Sequence, residues 1–195
     1  PFVGVYHDRS AGVLVRKPIP MDDIRVVQSK CLTIDDDMRW LIALISDTGM
    51  RLAEGAGLLK QDIGGLETSQ PYINLIKHPW RNLKTASSER KIPLVGSELW
   101  AAKRIVEADN EKDFAFPRYN RNQLTTANSA SAALNKWLRQ YVPSGCTMHS
   151  FRHSMRDRLR ETQCPSDITD QIGGWATKSV GQGYGKGYKE EVLFK

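Results

Sequence analysis

The chain has 195 residues, 40% of them hydrophobic, and carries a formal charge of +6 with a pI near 9.3. That hydrophobic share supports a packed core and rules out wholesale disorder, and the length fits one domain or a domain with a short arm. No apolar run approaches the roughly 20 residues of a membrane span, no signal-peptide pattern opens the chain, and Cys31, Cys146 and Cys164 lack zinc-ligand spacing, so reduced thiols, no metal and a cytoplasmic setting are expected.

Residues 1–20 are rich in Gly, Pro and charge and read as a linker or arm. A short helix is predicted over Met21 to Lys30. A stronger one is predicted over Asp36 to Ser46, where Met38, Leu41, Ile42 and Ile45 share a face, with Gly49 suited to a left-handed cap. A further helical stretch covers about Leu52 to Leu59. The period then changes: Tyr72 to Lys77 alternates, a second β segment is predicted near Trp80 to Lys84, and a third is Arg90 to Leu94. Ser97 is a candidate cap for a helix running to about Ala108, and Leu134, Trp137, Leu138 and Tyr141 mark another. Pro165 is expected at the first turn of a short helix ending at Gly173-Gly174. Trp40, Trp100 and Trp137 read as core. The expected fold is mainly α, in the α+β sense: a helical domain with a small three-stranded antiparallel sheet.

The most informative stretch is His149-Ser-Phe-Arg-His-Ser-Met-Arg-Asp-Arg-Leu159. As a helix it places His149, Arg152, His153 and Arg156 on one face, with Phe151, Met155 and Leu159 as an anchoring stripe beside them. Arg152, Arg156, Arg158 and Arg160 face the single acid Asp157 within nine residues. Guanidinium forks bind phosphate oxygens bidentately and keep their charge, so two of them with a lysine can do the electrostatic work of a metal ion at a phosphodiester. Thirty-two residues after Arg152, Tyr184 sits in Gly181-Gln-Gly-Tyr-Gly-Lys-Gly187, a setting suited to a tyrosine nucleophile.

These residues carry a resemblance. Thr48-Gly-Met-Arg-Leu-Ala-Glu54, continuing to Asp62-Ile63, resembles the first motif of the tyrosine recombinases or phage integrases, T-G-x-R-x-x-E. His149-Ser-Phe-Arg-His153 resembles the second, H-x-x-R-H. Trp175 with Tyr184 nine residues later resembles the third, in which His or Trp precedes the nucleophile. The resemblance covers about Asp22 to Lys189, the catalytic domain (21–189), and leaves 190–195 as a tail.

The resemblance implies that Arg51 and Arg152 grip a scissile phosphate and that His149 assists proton transfer. Trp175 packs on or hydrogen-bonds the phosphate, and Tyr184 attacks to leave a 3′-phosphotyrosine and a free 5′-hydroxyl. Lys84 matches the hairpin lysine that serves as general acid, with Lys77 and Lys91 as alternatives; Tyr188 is the alternative nucleophile, and Gly174 the alternative to Trp175. His153 supports the site, while Glu54 either orients Arg51 or forms an exposed pair. Arg156 and Arg160 are expected to bind DNA, and no cofactor is required because the phosphodiester energy is kept. The implied function is site-specific DNA recombination or integration in a phage or other mobile element. The implied partners are double-stranded DNA and a homotetramer on two duplexes, formed with tails such as Glu190 to Lys195 docked on neighbouring subunits; a tail folded on its own domain is the alternative. The implied setting is a bacterial or phage-infected cell, at the nucleoid. A type IB topoisomerase-like activity and a catalytically silent DNA-binding module are the rival functions.

Overall fold

The helical periodicity of residues 36–48 is realised at the centre of the molecule. A computed structural model describes residues 17–108, 113–121, 124–175 and 187–194. Helix α1 spans Met21–Ile34 and helix α2 spans Asp37–Thr48. Asp36 caps α2, its carboxylate accepting from the Arg39 amide at 2.9 Å, and Gly49 closes it in the left-handed region (φ 58°) as expected. Leu41, Ile42, Leu44 and Ile45 are all fully buried, because α2 packs against α1, against α4 (Gly96–Glu107) and against α6 (Ser150–Glu161). Each such side chain contributes on the order of 1.5–3 kcal/mol by leaving water.

The remaining elements surround this core. Helix α3 (Leu52–Ala56) is shorter than the sequence suggests, ending three residues before Leu59. The sheet is antiparallel, ordered β1 (Ile63–Gly64), β2 (Tyr72–Leu75), β3 (Arg90–Pro93), with Ile73 opposite both Ile63 and Ile92. The sheet therefore has three strands, but the segment near Trp80 to Lys84 is not one of them. His78 and Arg81 exchange backbone hydrogen bonds in a tight turn, and the Arg81 guanidinium donates to the carbonyls of Glu54, Gly57 and Ile76. Arg81 is 2% exposed, so this turn is built around a buried cation instead of a sheet edge.

Helix α4 has Val95 at its N-cap, and the Glu98 carboxylate accepts from the Val95 amide. Ser97 is not the cap; its hydroxyl donates to Asp47 at 2.7 Å. A second hairpin, β4 (Asn120–Arg121) with β5 (Leu124–Thr125), precedes α5 (Ala127–Leu138). Helix α7 spans Ser166–Gly173, and Pro165 stands at its N-cap, one position earlier than expected. Trp137 is buried, whereas Trp40 and Trp100 pack half-buried on the rim of the core.

Two terminal segments lie on the domain. Ile19 is buried, its amide donating to the Ser154 hydroxyl, which donates in turn to the Ile19 carbonyl. The short α8 (Glu190–Leu193) packs on β3, and Leu193 and Phe194 line an apolar hollow of about 300 Å³ with Ile92, Pro93, Leu159 and Ile172. Among the described residues no helix is long and apolar enough to cross a membrane.

Candidate active site

Helix α6 presents two faces, as its sequence pattern predicts. Phe151 and Met155 are buried against the core, with Leu159 half-buried beside them. On the other face, His149, Arg152, His153, Arg156 and Arg160 line a hollow of about 290 Å³, completed by Pro18, Asp157 and Trp175. The His149 and His153 rings meet edge to face, 5.4 Å apart.

Arg152 is 4% exposed. Its Nη1 donates to the Gly49 carbonyl at 3.0 Å, which ties α6 to the turn that follows α2. Its Nη2 is buried with no hydrogen-bond partner among the described residues. Burial, then the charges of Arg51, Arg90 and Arg156, push its pKa down to about 10, still far enough above neutrality that it is charged in any physiological buffer. Arg152 is thus a buried guanidinium among like charges, and charge-assisted hydrogen bonds to an anion are the chemistry such a group can offer.

Arg51 stands at the N-cap of α3, and Glu54 serves it twice. One Glu54 oxygen accepts from the Arg51 amide at 2.9 Å and the other from the Arg51 guanidinium at 2.6 Å. Glu54 is 2% exposed, so the pair is not an exposed surface contact. Burial raises the Glu54 carboxyl, but Arg90 and then Arg51 outweigh it and hold the group below the usual carboxylate range. Arg51 Nη1 also donates to the Ser88 hydroxyl at 3.1 Å, which joins the first motif to the loop between β2 and β3.

Trp175 closes the site. Its amide donates to the Asp170 carbonyl at 2.9 Å, and its ring lies 4.3 Å from the Arg152 guanidinium and 4.8 Å from that of Arg156. The indole lies across Gly173 so closely that a Cβ there would overlap it. Gly174 takes φ 63°, and a Cβ there would meet an Arg90 nitrogen at 2.8 Å. The Gly-Gly pair before Trp175 is thus a steric requirement for bringing the indole onto the arginines, and it is Trp175, not Gly174, that lines the hollow.

The sequence matches the phage integrase family over residues 23–191. The chain belongs to that family. No curated protein matches it. Among solved structures, XerA recombinase superposes with a TM-score of 0.62 at 15% identity, covering 83% of this chain and 55% of that one. The Tn1549 transposon integrase, solved in complex with circular intermediate DNA, gives 0.58 at 17% identity over 86% and 65%. The XerH site-specific recombinase, bound to its palindromic difH substrate, gives 0.55 at 17% over 83% and 48%. The chain thus spans about half to two thirds of the length of these structures, and at such identities the likeness is one of fold: a mostly helical domain with small antiparallel sheets.

Within this integrase-family fold the sequence-derived candidates do not all converge equally. Arg152, His149, His153, Arg156, Arg160 and Trp175 share the hollow. Arg51 does not line it, but its charge is felt at Arg152. Arg156 is also paired with Asp170 at 3.3 Å, and Arg160 with Asp157 at 3.3 Å. Lys84 is exposed on the loop that runs into the single turn Ala86–Ser88, four residues before the serine that Arg51 touches. Of its alternatives, Lys77 is exposed, while the Lys91 ammonium lies 4.5 Å from the Tyr72 ring.

Tyr184 and Gly181, Gly183 and Gly185 around it lie outside the described residues. Tyr188 is described: its hydroxyl donates to the Asp167 carboxylate, and its amide and carbonyl both bond the Gln171 side chain. Among the described residues no group of three or more His, Cys, Asp or Glu is placed to hold a metal ion. The motif pattern does not single out Arg90, which sits at the centre of the cluster. Its signal is modest: an arginine two residues from Ile92 in a strand shares that residue's buried face.

Proposed function

We propose that this chain is the catalytic part of a site-specific DNA recombinase, an integrase of a phage or other mobile element. On this reading it cleaves and rejoins duplex DNA through a 3′-phosphotyrosine. The observation that carries the reading is the convergence of His149, Arg152, Arg156 and Trp175 on one hollow, with the charges of Arg51 and Arg90 felt at Arg152. Such a cluster fits a phosphoryl group whose charge grows as it becomes pentavalent.

The residues divide the work as follows. Arg51 and Arg152 neutralise the two non-bridging oxygens, and Glu54 holds Arg51 in its rotamer. The Tyr184 oxygen attacks phosphorus in line and forms the Tyr–O–P bond, with His149 taking up the phenol proton and His153 supporting it by hydrogen bonding. The P–O5′ bond breaks, and Lys84 gives its proton to the departing 5′ oxygen. Trp175 packs on the arginines and shields the phosphate from water. Arg156 and Arg160 contact flanking phosphates, so affinity falls with salt. Because one phosphodiester replaces another, the 5′-hydroxyl reverses the step without ATP. Recombination on two duplexes calls for a tetramer joined by exchanged tails such as 190–195, and the DNA substrate for a place at the bacterial nucleoid.

The test is trapping on a pool of nicked duplexes with randomised cores. Wild type should accumulate a covalent protein–DNA adduct, and Tyr184→Phe should not. An adduct that survives Tyr184→Phe and vanishes in Tyr188→Phe moves the nucleophile. Binding without any adduct would indicate a silent DNA-binding module, and supercoil relaxation without strand exchange a topoisomerase-like enzyme.

A further inference from the structure

We propose that Arg90 is a positioning residue of this site, a buried three-armed tie that sets Arg51 and Trp175 in register across three separate stretches of chain. The proposal rests on the reading of the site given above. Arg90 has a side chain only 3% exposed, so it acts through other groups and not on substrate. Its Nε donates to the Ile172 carbonyl at 2.8 Å, at the end of α7 and three residues before Trp175. Its Nη1 donates to the Ser88 carbonyl at 2.7 Å, and the hydroxyl of that serine receives Arg51. Its Nη2 reaches the Glu54 carboxylate at 3.4 Å, the group that holds the Arg51 guanidinium from its other side. Gly174 lies directly on the same guanidinium. The hairpin loop, the first motif and the turn carrying Trp175 therefore meet at one planar group.

Only a guanidinium can do this. Its donors point along fixed directions in one plane, so three acceptors on three segments are fixed relative to each other. A lysine supplies a point charge and cannot span them. Glu54 makes the burial tolerable, since an unpaired charge there would be costly. Arg90 also adds to the positive field at Arg152 without occupying the hollow. A displacement of about 1 Å in a catalytic group is enough to cost on the order of 100-fold in rate.

The experiment compares single-turnover cleavage of the nicked duplex with DNA affinity in wild type, Arg90→Lys, Trp175→Ala and the double variant. Arg90→Lys should lower the cleavage rate by roughly 10- to 100-fold and leave the Kd within about three-fold of wild type. The double variant should lose less than the product of the two single losses, because both act on the same indole. Acrylamide quenching of Trp175, taken as the difference from a Trp175→Phe background, should rise in Arg90→Lys whether or not the DNA is cut. If wild type makes no adduct, the functional reading fails while the quenching still tests the tie. If Arg90→Lys does not fold, Arg90→Gln replaces it, since a neutral amide keeps a donor and removes the buried charge; the same split of rate from affinity is expected. Wild-type cleavage and unchanged quenching in the folded variant, or losses that multiply fully, overturn the proposal.

Discussion

Arg152 and Arg158 sit less than two turns apart on α6, yet the structure treats them in opposite ways. Arg158 uses both terminal nitrogens inside the protein, donating to Asp47 at 2.7 Å and to the Ser46 carbonyl at 2.9 Å. Around it Asp47 also accepts from Gln28 and Ser97, and Glu98 lies buried nearby. Asp47 thus gives Arg158 a carboxylate partner of its own. Among the described residues Arg152 has one carbonyl partner and is surrounded by Arg51, Arg90 and Arg156, with Glu54 and Asp170 as the acids at hand. A balanced arginine fastens α6 to the end of α2. An underfilled one leaves room for a ligand's negative charge. Local spacing cannot separate the two, since both are arginines on one helix; the partners do.

The largest test of this contrast is a pair of alanines. Arg152→Ala should lower cleavage by about 1,000-fold, because it removes a charge contact used chiefly in the transition state, while DNA affinity falls by no more than about ten-fold. Arg158→Ala should instead cost roughly 1–3 kcal/mol of folding stability, since it leaves the Asp47 carboxylate without its cation, and leave the rate per folded molecule unchanged. Single-turnover rates and urea midpoints measured side by side separate the outcomes. Equal losses of rate and stability in both variants would erase the distinction.

Lys84 extends the contrast to a residue the fold leaves in solvent. Lys84→Ala should slow cleavage by about 100-fold, the usual reach of a general acid, with little change in melting. A substrate with sulfur in place of the 5′ bridging oxygen needs no proton and should restore the rate. Failure of that rescue would assign the acid elsewhere.

What the residues reveal in advance follows from how local the cause is. Helix α2 is legible because four apolar residues at helical spacing and an Asp cap lie within one segment. The chemical face of α6 is legible for the same reason. The turn at 78–81 is not, because the segment near Trp80 to Lys84 reads as a strand while the real determinant is a buried guanidinium reaching carbonyls at Glu54 and Gly57, more than twenty residues away. Strands of two residues, as in β1, β4 and β5, are too short to show alternation at all. Ser97 has the chemistry of a cap, but the nearby Asp47 claims its hydroxyl. At the site, motif spacing finds Arg51 and Arg152 and passes over Arg90, whose importance lies in acceptors on three other segments.

The two clusters should also respond to pH with opposite signs. Glu54 is held below its ordinary value of 4.5, so its contribution to stability is present above about pH 4.5 and is lost as pH falls through the lowered value. Glu98 is raised well above 4.5, by burial first and then by Asp47, so its folded form binds a proton more tightly than the unfolded chain does. Its contribution is full below 4.5 and is lost as pH rises towards the raised value. Glu98→Gln should therefore flatten the decline in urea midpoint on the alkaline side, and Glu54→Gln the decline on the acid side. An unchanged slope in Glu98→Gln would mean that the carboxyl is ionised in the fold.

The smallest expected effect concerns the two tyrosines of the last motif. Tyr188 is 40% exposed, and its phenol is engaged with Asp167 of α7. That partner raises the Tyr188 pKa, which is the wrong direction for a nucleophile that must shed its proton. Its backbone stays clasped by Gln171 whatever the ring carries, so removing the hydroxyl leaves the course of the chain unaltered. Tyr188→Phe should thus change adduct formation by no more than about two-fold, as expected for one exposed polar contact, where Tyr184→Phe abolishes it. A large loss in Tyr188→Phe with binding intact would mean that the phenol on α7 leaves Asp167 to reach the phosphate, and would transfer the covalent step to it.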